Sequence, residues 1–207
     1  MTIILENIGK RFLYDWIFRN VNYTFHNGAF AILGHNGSGK STLMKAISGH
    51  LTPSVGKVQY YTPTNQLVAE ENMYKNISYA APYIELIEEF TLEEQLQFHQ
   101  QFKAFQDNLG ILELKEILKL ANTQNKQIKY YSSGMKQRLK LVLACCAATS
   151  ILLLDEPTTN LDRQGVRWYQ DLVSKYSNGK ILIIASNAED DYFLCKEQIL
   201  MTDFKKK

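Results

Sequence analysis

The chain has 207 residues, 45% of them hydrophobic, and its 21% charged residues leave a formal net charge of +2. That length and composition suit one compact domain with an ordinary core. A near-neutral balance without clustered basic residues excludes the electrostatic footprint of a nucleic-acid binder, and the one basic run, Lys205 to Lys207, reads as a solvated tail.

The opening stretch, Met1 to Lys10, lacks the charged-then-apolar layout of an export signal. It reads as a short strand, Ile3-Ile4-Leu5, followed by another from Val21 to Phe25 and a turn at Asn27-Gly28. The apolar run Phe30 to Leu33 enters a glycine-rich loop. A helix then runs to about Ser48, where Gly49 supplies a stop. Strands are expected at Lys57 to Tyr61 and around Ile77 to Ala80. From about Pro82 to Tyr130 the texture changes to long, charged, glutamine-rich helices. Thr91 and Glu94 form a capping-box pattern opening a helix through Phe105, and Leu112 to Leu120 forms a second. After Ser132 a helix leads into the apolar strand Ile151 to Leu154. Asp162 to Tyr176 is helical again, and Ile181 to Ala185 is a further strand. This order predicts an α/β core around a parallel sheet covered on both faces, with a helical insertion.

The longest uncharged stretch, Leu141 to Leu154, falls short of the ~20 apolar residues a spanning helix needs. The chain is therefore expected to cross no membrane by itself. Cys145, Cys146 and Cys195 lack paired metal-ligand spacing and read as reduced thiols of a cytoplasmic protein.

Residues 34–42 read GHNGSGKST and match a phosphate-binding loop: Gly34, His35, Asn36, Gly37, Ser38, Gly39, Lys40, Ser41 and Thr42. Glycines let such a backbone aim several N–H groups at phosphate oxygens, and the helix that follows offers its N-terminus. Lys40 is expected on the β- and γ-phosphates and Ser41 on Mg²⁺. Downstream, ILLLDEP ends an apolar strand with two acids. Asp155 is placed to serve the metal and Glu156 to polarise the attacking water.

With these motifs in view, the sequence resembles the ATP-binding-cassette ATPase family over almost its whole length. That family carries a signature of the form L-S-G-G-Q-x-Q-R. Here YSSGMKQR, Tyr131 to Arg138, keeps Ser132 and Gly134 in their positions and departs at Tyr131, Ser133 and Met135. The resemblance implies a P-loop core with a mostly parallel sheet, a small N-terminal antiparallel β subdomain and an inserted α-helical subdomain. The core would take residues 1–82 and 131–207, and the insertion residues 83–130. It also implies that Ser132 and Gly134 reach the ATP of a second subunit, and that TTNLD, with Asp162, crosses the dimer interface. Phe12 stands where these proteins stack an aromatic ring on adenine, with Tyr14 and Trp16 as rivals.

Two elements of the family pattern are missing. Asn187 occupies the place of the switch histidine, and His26, His35, His50 and His99 all lie elsewhere. Asparagine can hydrogen-bond a phosphate but cannot take up a proton. The glutamine that couples Mg²⁺ to the helical subdomain is replaced within SYAAPYIEL by Pro82 or Tyr83, with Glu85 nearby. The resemblance implies an ATPase, slow or partner-dependent, that binds ATP and Mg²⁺ as a homodimer or a heterodimer with a second cassette. It would energise integral membrane permease subunits from the inner face of the cell membrane. The competing expectation is an ATP-gated regulatory module of a soluble assembly, and a P-loop kinase is disfavoured by the signature-like stretch.

Overall fold

Alternating apolar positions send Thr2–Phe12 (β1) and Asp15–Phe25 (β2) into an antiparallel pair, with Ile3 opposite Phe25 and Leu5 opposite Tyr23. Both strands are longer than the sequence suggested. Register shifts between Leu5 and Ile8 and again near Lys10 break the alternation that a strand is read from. The structure is a computed structural model and describes residues 1–120, 123 and 125–204, so the Lys205 to Lys207 tail lies outside the described residues.

Gly28–Leu33 (β3) leads through the phosphate-loop residues into Lys40–Ile47 (α1), and Gly49 beyond it has φ 78°. That left-handed conformation ends a helix at little cost for glycine. Val55–Tyr61 (β4) returns to the free side of β1, completing a three-stranded antiparallel sheet ordered β2-β1-β4.

Ile77–Ala80 (β5), Ile151–Asp155 (β6), Ile181–Ala185 (β7) and Glu197–Leu200 (β8) join β3 in a parallel sheet ordered β5-β6-β7-β3-β8. The two central strands β6 and β7 are buried along their whole length, as strands covered on both faces must be. Their side chains divide between two cores. Ile151, Leu153, Ile181 and Ile183 pack with Phe18, Phe25, Leu43 and Met44 under the antiparallel sheet. Leu152, Leu154, Leu182 and Ile184 face Leu139, Val142, Tyr169 and Leu172. Each fully buried aliphatic side chain contributes about 1.5–3 kcal/mol, and truncating one such as Leu153 to alanine costs about 2–5 kcal/mol.

Between β5 and β6 lie Leu92–Phe102 (α2), Ile111–Leu118 (α3) and Ser133–Cys145 (α4); Arg163–Tyr176 (α5) joins β6 to β7. The capping box forms: Thr91 Oγ1 accepts from Glu94 N–H at 3.3 Å and Glu94 Oε2 accepts from Thr91 N–H at 2.7 Å. The helix stops at Phe102 rather than Phe105. Lys103 is extended, and Phe105 forms a bridge with Ala147 instead. The helices of this stretch are short rather than long, at 11 and 8 residues. At the far end of α4, buried Lys180 donates to the carbonyls of Cys145 and Ala147 at 2.9 and 2.7 Å, satisfying groups the helix leaves open. The three cysteines are free, and burial pushes the Cys146 and Cys195 thiols up to about 12. Among the described residues no helix is long and apolar enough to cross a membrane.

Candidate nucleotide site

The parallel register aligns Ile32, Ala185 and Asp155 across β3, β7 and β6. The chain order reverses here, because β7 separates β3 from β6. Everything that follows these three residues emerges at the carboxyl ends of the strands, where α/β sheets place their ligands.

The loop after β3 folds back on itself through Ser38 N–H to His35 O at 3.0 Å. Lys40 is buried, with Nζ donating to Gly34 O at 2.6 Å and reaching His35 O at 3.5 Å. Ser41 and Thr42 occupy the first turn of α1, so their backbone N–H groups belong to its open end. Gly39 has φ 105°, and a Cβ there would sit 2.7 Å from Ile17 Cγ2. The loop is thus pressed against β2; of the aromatic candidates, Phe12 ends β1, Tyr14 lies in the turn and Trp16 belongs to β2. Phe12 is 50% exposed with Lys10 Nζ 5.3 Å from its ring centroid, and Tyr14 is 92% exposed. Trp16 is gripped by Arg19 and Arg11 at 4.1 and 5.7 Å. Of the three rings, Trp16 thus carries two cationic contacts and half-exposed Phe12 one.

Asp155 ends β6 and is 1% exposed. Burial raises its carboxyl above the usual range; the Ser41 and Tyr83 hydroxyls and Lys40 pull it back, and Glu156 adds to the rise. Oδ2 accepts from the Tyr83 hydroxyl at 3.0 Å, while Oδ1 is buried without a hydrogen-bond partner among the described residues. Tyr83 is therefore the residue of the three alternatives that reaches this carboxylate. The Pro82 carbonyl is taken by Lys140 Nζ at 2.9 Å, and Glu85 lines a groove with Lys140. Glu156 follows with φ 44°, held there by its N–H donating to Ala185 O at 2.8 Å.

Asn187, just past β7, donates from Nδ2 to Asn36 Oδ1 at 3.1 Å, so it lies against the phosphate loop. Beside it the Ser186 hydroxyl bonds the buried Asp191 carboxylate and accepts from Ala188 N–H at 3.0 Å. Burial raises the Asp191 carboxyl, against the pull of Ser186 and Thr158. Tyr79, whose hydroxyl bonds that of Tyr83, and Lys45, whose Nζ lies 3.9 Å from the Tyr83 ring centroid, carried no motif, nor did Ser186 and Asp191, and only the fold brings them here.

Ser132, Gly134 and Asp162 form a second group. Ser132 caps α4 by accepting from Met135 N–H at 3.3 Å, and Asp162 caps α5 by accepting from Gly165 N–H at 2.7 Å. Gln137 ties the two segments together by donating to Pro157 O at 2.8 Å. Ser132, Gly134, Arg138, Asn160 and Asp162 line one cavity of about 640 Å³. Its lining takes in the signature-like helix start and the TTNLD segment but none of the phosphate-loop residues.

The ABC transporter family model matches residues 18–159. The chain is 29% identical over 187 residues to an uncharacterised ABC transporter ATP-binding protein, YybJ, of Bacillus subtilis, covering 89% of this chain and 85% of that one. It is 29% identical over 208 residues to the cytochrome c biogenesis ATP-binding export protein CcmA of Agrobacterium fabrum, covering 99% and 97%. Other relatives are far longer, and the chain spans 7% of one of them. A dimeric ATP-binding cassette in a post-hydrolysis state bound to ADP and Pi superposes with a TM-score of 0.80 at 22% identity, covering 96% of this chain and 93% of that one. The family match runs through the phosphate loop, the capped start of α4 and the Asp155–Glu156 strand end, and the chain belongs to the ABC transporter family as an ATP-binding cassette.

Proposed function

We propose that this chain binds ATP with Mg²⁺ and hydrolyses it slowly, as one half of a cassette dimer that energises separate membrane-spanning subunits. The observation that carries this reading is Asp155, a buried carboxylate close to the Ser41 hydroxyl at the phosphate loop, with Oδ1 left without a hydrogen-bond partner among the described residues. Among the described residues no three His, Cys, Asp or Glu side chains are grouped to hold a metal. A carboxylate and a hydroxyl suit Mg²⁺, which binds through one or two protein oxygens and takes the rest from phosphates and water. When bound, that ion neutralises charge developing on the phosphates.

The chain's own groups take the remaining roles. The 34–42 backbone and Lys40 grip the β- and γ-phosphates, and Phe12 stacks on adenine. Glu156 polarises water. Asn187 offers the γ-phosphate a hydrogen bond but no proton, which favours slow turnover. Ser132 and Gly134, with Asp162, engage ATP held by a second cassette, since they lie apart from this chain's own loop. The solved relative with ADP and Pi is dimeric. CcmA is named an export protein, which supports permease subunits as partners and the inner membrane face as location. Residues 83–130 serve as the docking subdomain.

Two measurements test this. Glu156→Gln protein with ATP and Mg²⁺ should shift from monomer to dimer in sizing chromatography. A tagged chain should also capture integral membrane proteins from solubilised membranes. The second reading, an ATP-gated module of a soluble assembly, is favoured by the Asn187–Asn36 bond, which holds the switch position without a titratable group. Dimerisation without membrane partners would select it.

A further inference from the structure

We infer that Tyr83 is a positioning residue for Asp155, fixing one carboxylate oxygen so that the other is presented to the metal; the inference rests on the metal role proposed above for Asp155.

The geometry is directional. An ionised carboxylate only accepts, so the Tyr83 hydroxyl must donate its single proton to Asp155 Oδ2, 3.0 Å away. The Tyr79 hydroxyl also bonds the Tyr83 oxygen. With the Tyr83 proton committed, Tyr79 must be the donor there. A chain from Tyr79 through Tyr83 to Asp155 thus has only one sense. It leaves Oδ1 buried and without a partner among the described residues.

Tyr83 is itself held from two sides. Lys45 Nζ sits 3.9 Å from its ring centroid, and the Tyr79 ring meets it edge-on at 6.2 Å. Lys45 belongs to α1, the helix that opens at the phosphate loop, and Tyr79 belongs to β5. Cation–ring and edge-on aromatic contacts of this kind favour one orientation of the ring. Tyr83 then opens the segment leading to α2, so displacement of that segment would move the hydroxyl that orients Asp155. Groups that orient a metal ligand in this way typically change metal affinity about 10–100-fold when removed.

The test is Tyr83→Phe, which keeps the ring and the Lys45 contact and removes only the hydroxyl. Binding of a fluorescent ATP analogue is followed in EDTA and then as Mg²⁺ is titrated, with Asp155→Asn as control. The Mg²⁺ concentration giving half-maximal enhancement should rise about 10–100-fold in Tyr83→Phe, with EDTA affinity and Tm as in the parent. Tyr79→Phe should show a smaller shift in the same direction. An unchanged half-maximal Mg²⁺ concentration in Tyr83→Phe overturns the inference. So does a parallel loss of EDTA affinity and Tm, which would mark a packing role. If neither the parent nor Asp155→Asn responds to Mg²⁺, the metal role of Asp155 itself falls.

Discussion

Asn187 Nδ2 donates to Asn36 Oδ1 at 3.1 Å, joining the segment after β7 to the phosphate loop through two exposed, uncharged side chains. A histidine at this position would titrate near pH ~6.5, whereas asparagine does not titrate at all. Phosphate release by the parent should therefore show no inflection from this position between pH 5.5 and 8. Asn187→His should introduce one and raise turnover at least about tenfold, since a positioned acid–base group contributes about 10²–10⁴-fold where it carries proton transfer. Asn187→Ala removes one exposed hydrogen bond, worth at most about 1 kcal/mol. Superimposable pH–rate profiles for parent and Asn187→His would place the residue outside the chemistry.

Gly134 is the second residue of α4, with space for nothing more, because a Cβ there would lie 2.9 Å from Asn160 O. Both residues line the 640 Å³ cavity proposed to receive a second cassette's ATP. Gly134→Val should push the helix start off the 158–162 segment and abolish ATP-driven dimerisation in a Glu156→Gln background. ATP binding to the monomer should be retained, because the phosphate loop is elsewhere. Sizing chromatography alongside equilibrium binding separates the two. A simultaneous loss of both would indicate general unfolding, which circular dichroism checks.

The phosphate loop was legible because its chemistry is contiguous: the glycine backbone and the lysine and serine side chains all fall within residues 34–42. The capping box at Thr91 and Glu94 was legible for the same reason, and both of its hydrogen bonds form. Tyr83 was only one of three alternatives, because its contact with Asp155 spans 72 positions and depends on β5 pairing with β6. β8 carried no readable pattern, since among Glu197–Leu200 only Ile199 is buried. The early stop of α2 is likewise tertiary. Ala148 N–H donates to Ala104 O at 2.8 Å and Gln106 N–H to Cys146 O at 2.9 Å, and these bonds draw the chain out of the helix.

Glu156 has φ 44°, a left-handed conformation that costs a side-chain-bearing residue roughly 1–2 kcal/mol. Its N–H bond to Ala185 O and its carbonyl bond to Thr159 N–H hold it there. Asparagine tolerates this region better than glutamate or glutamine. Glu156→Asn should thus raise the unfolding free energy by up to about 1 kcal/mol, or about 2–4 °C in Tm for a chain of this size. Glu156→Gln should leave it within about 0.5 kcal/mol. Both should lose hydrolysis, a gain of stability for a loss of function. Urea unfolding of the three proteins without nucleotide checks this, and equal midpoints would show that the conformation carries no strain.

His99 gives the fold its clearest acid sensitivity. It stacks on Phe105 with ring centroids 5.3 Å apart and planes at 20°, and its buried Nε2 has no partner among the described residues. Burial first, and then the Lys103 ammonium, hold its pKa down at about 4 instead of 6.5. Between those values the unfolded chain binds a proton that the folded chain refuses. Stability is therefore complete above pH 6.5 and is lost as the pH falls towards 4. At ~1.4 kcal/mol per unit the loss is on the order of 3 kcal/mol. His99→Leu has nothing to protonate at this position. Its Tm should fall less than the parent's between pH 7 and 4.5, with a constant offset above pH 7. Carboxylates common to both proteins cancel in that comparison, so parallel Tm curves across the whole range would show that His99 is accessible to protons in the folded state.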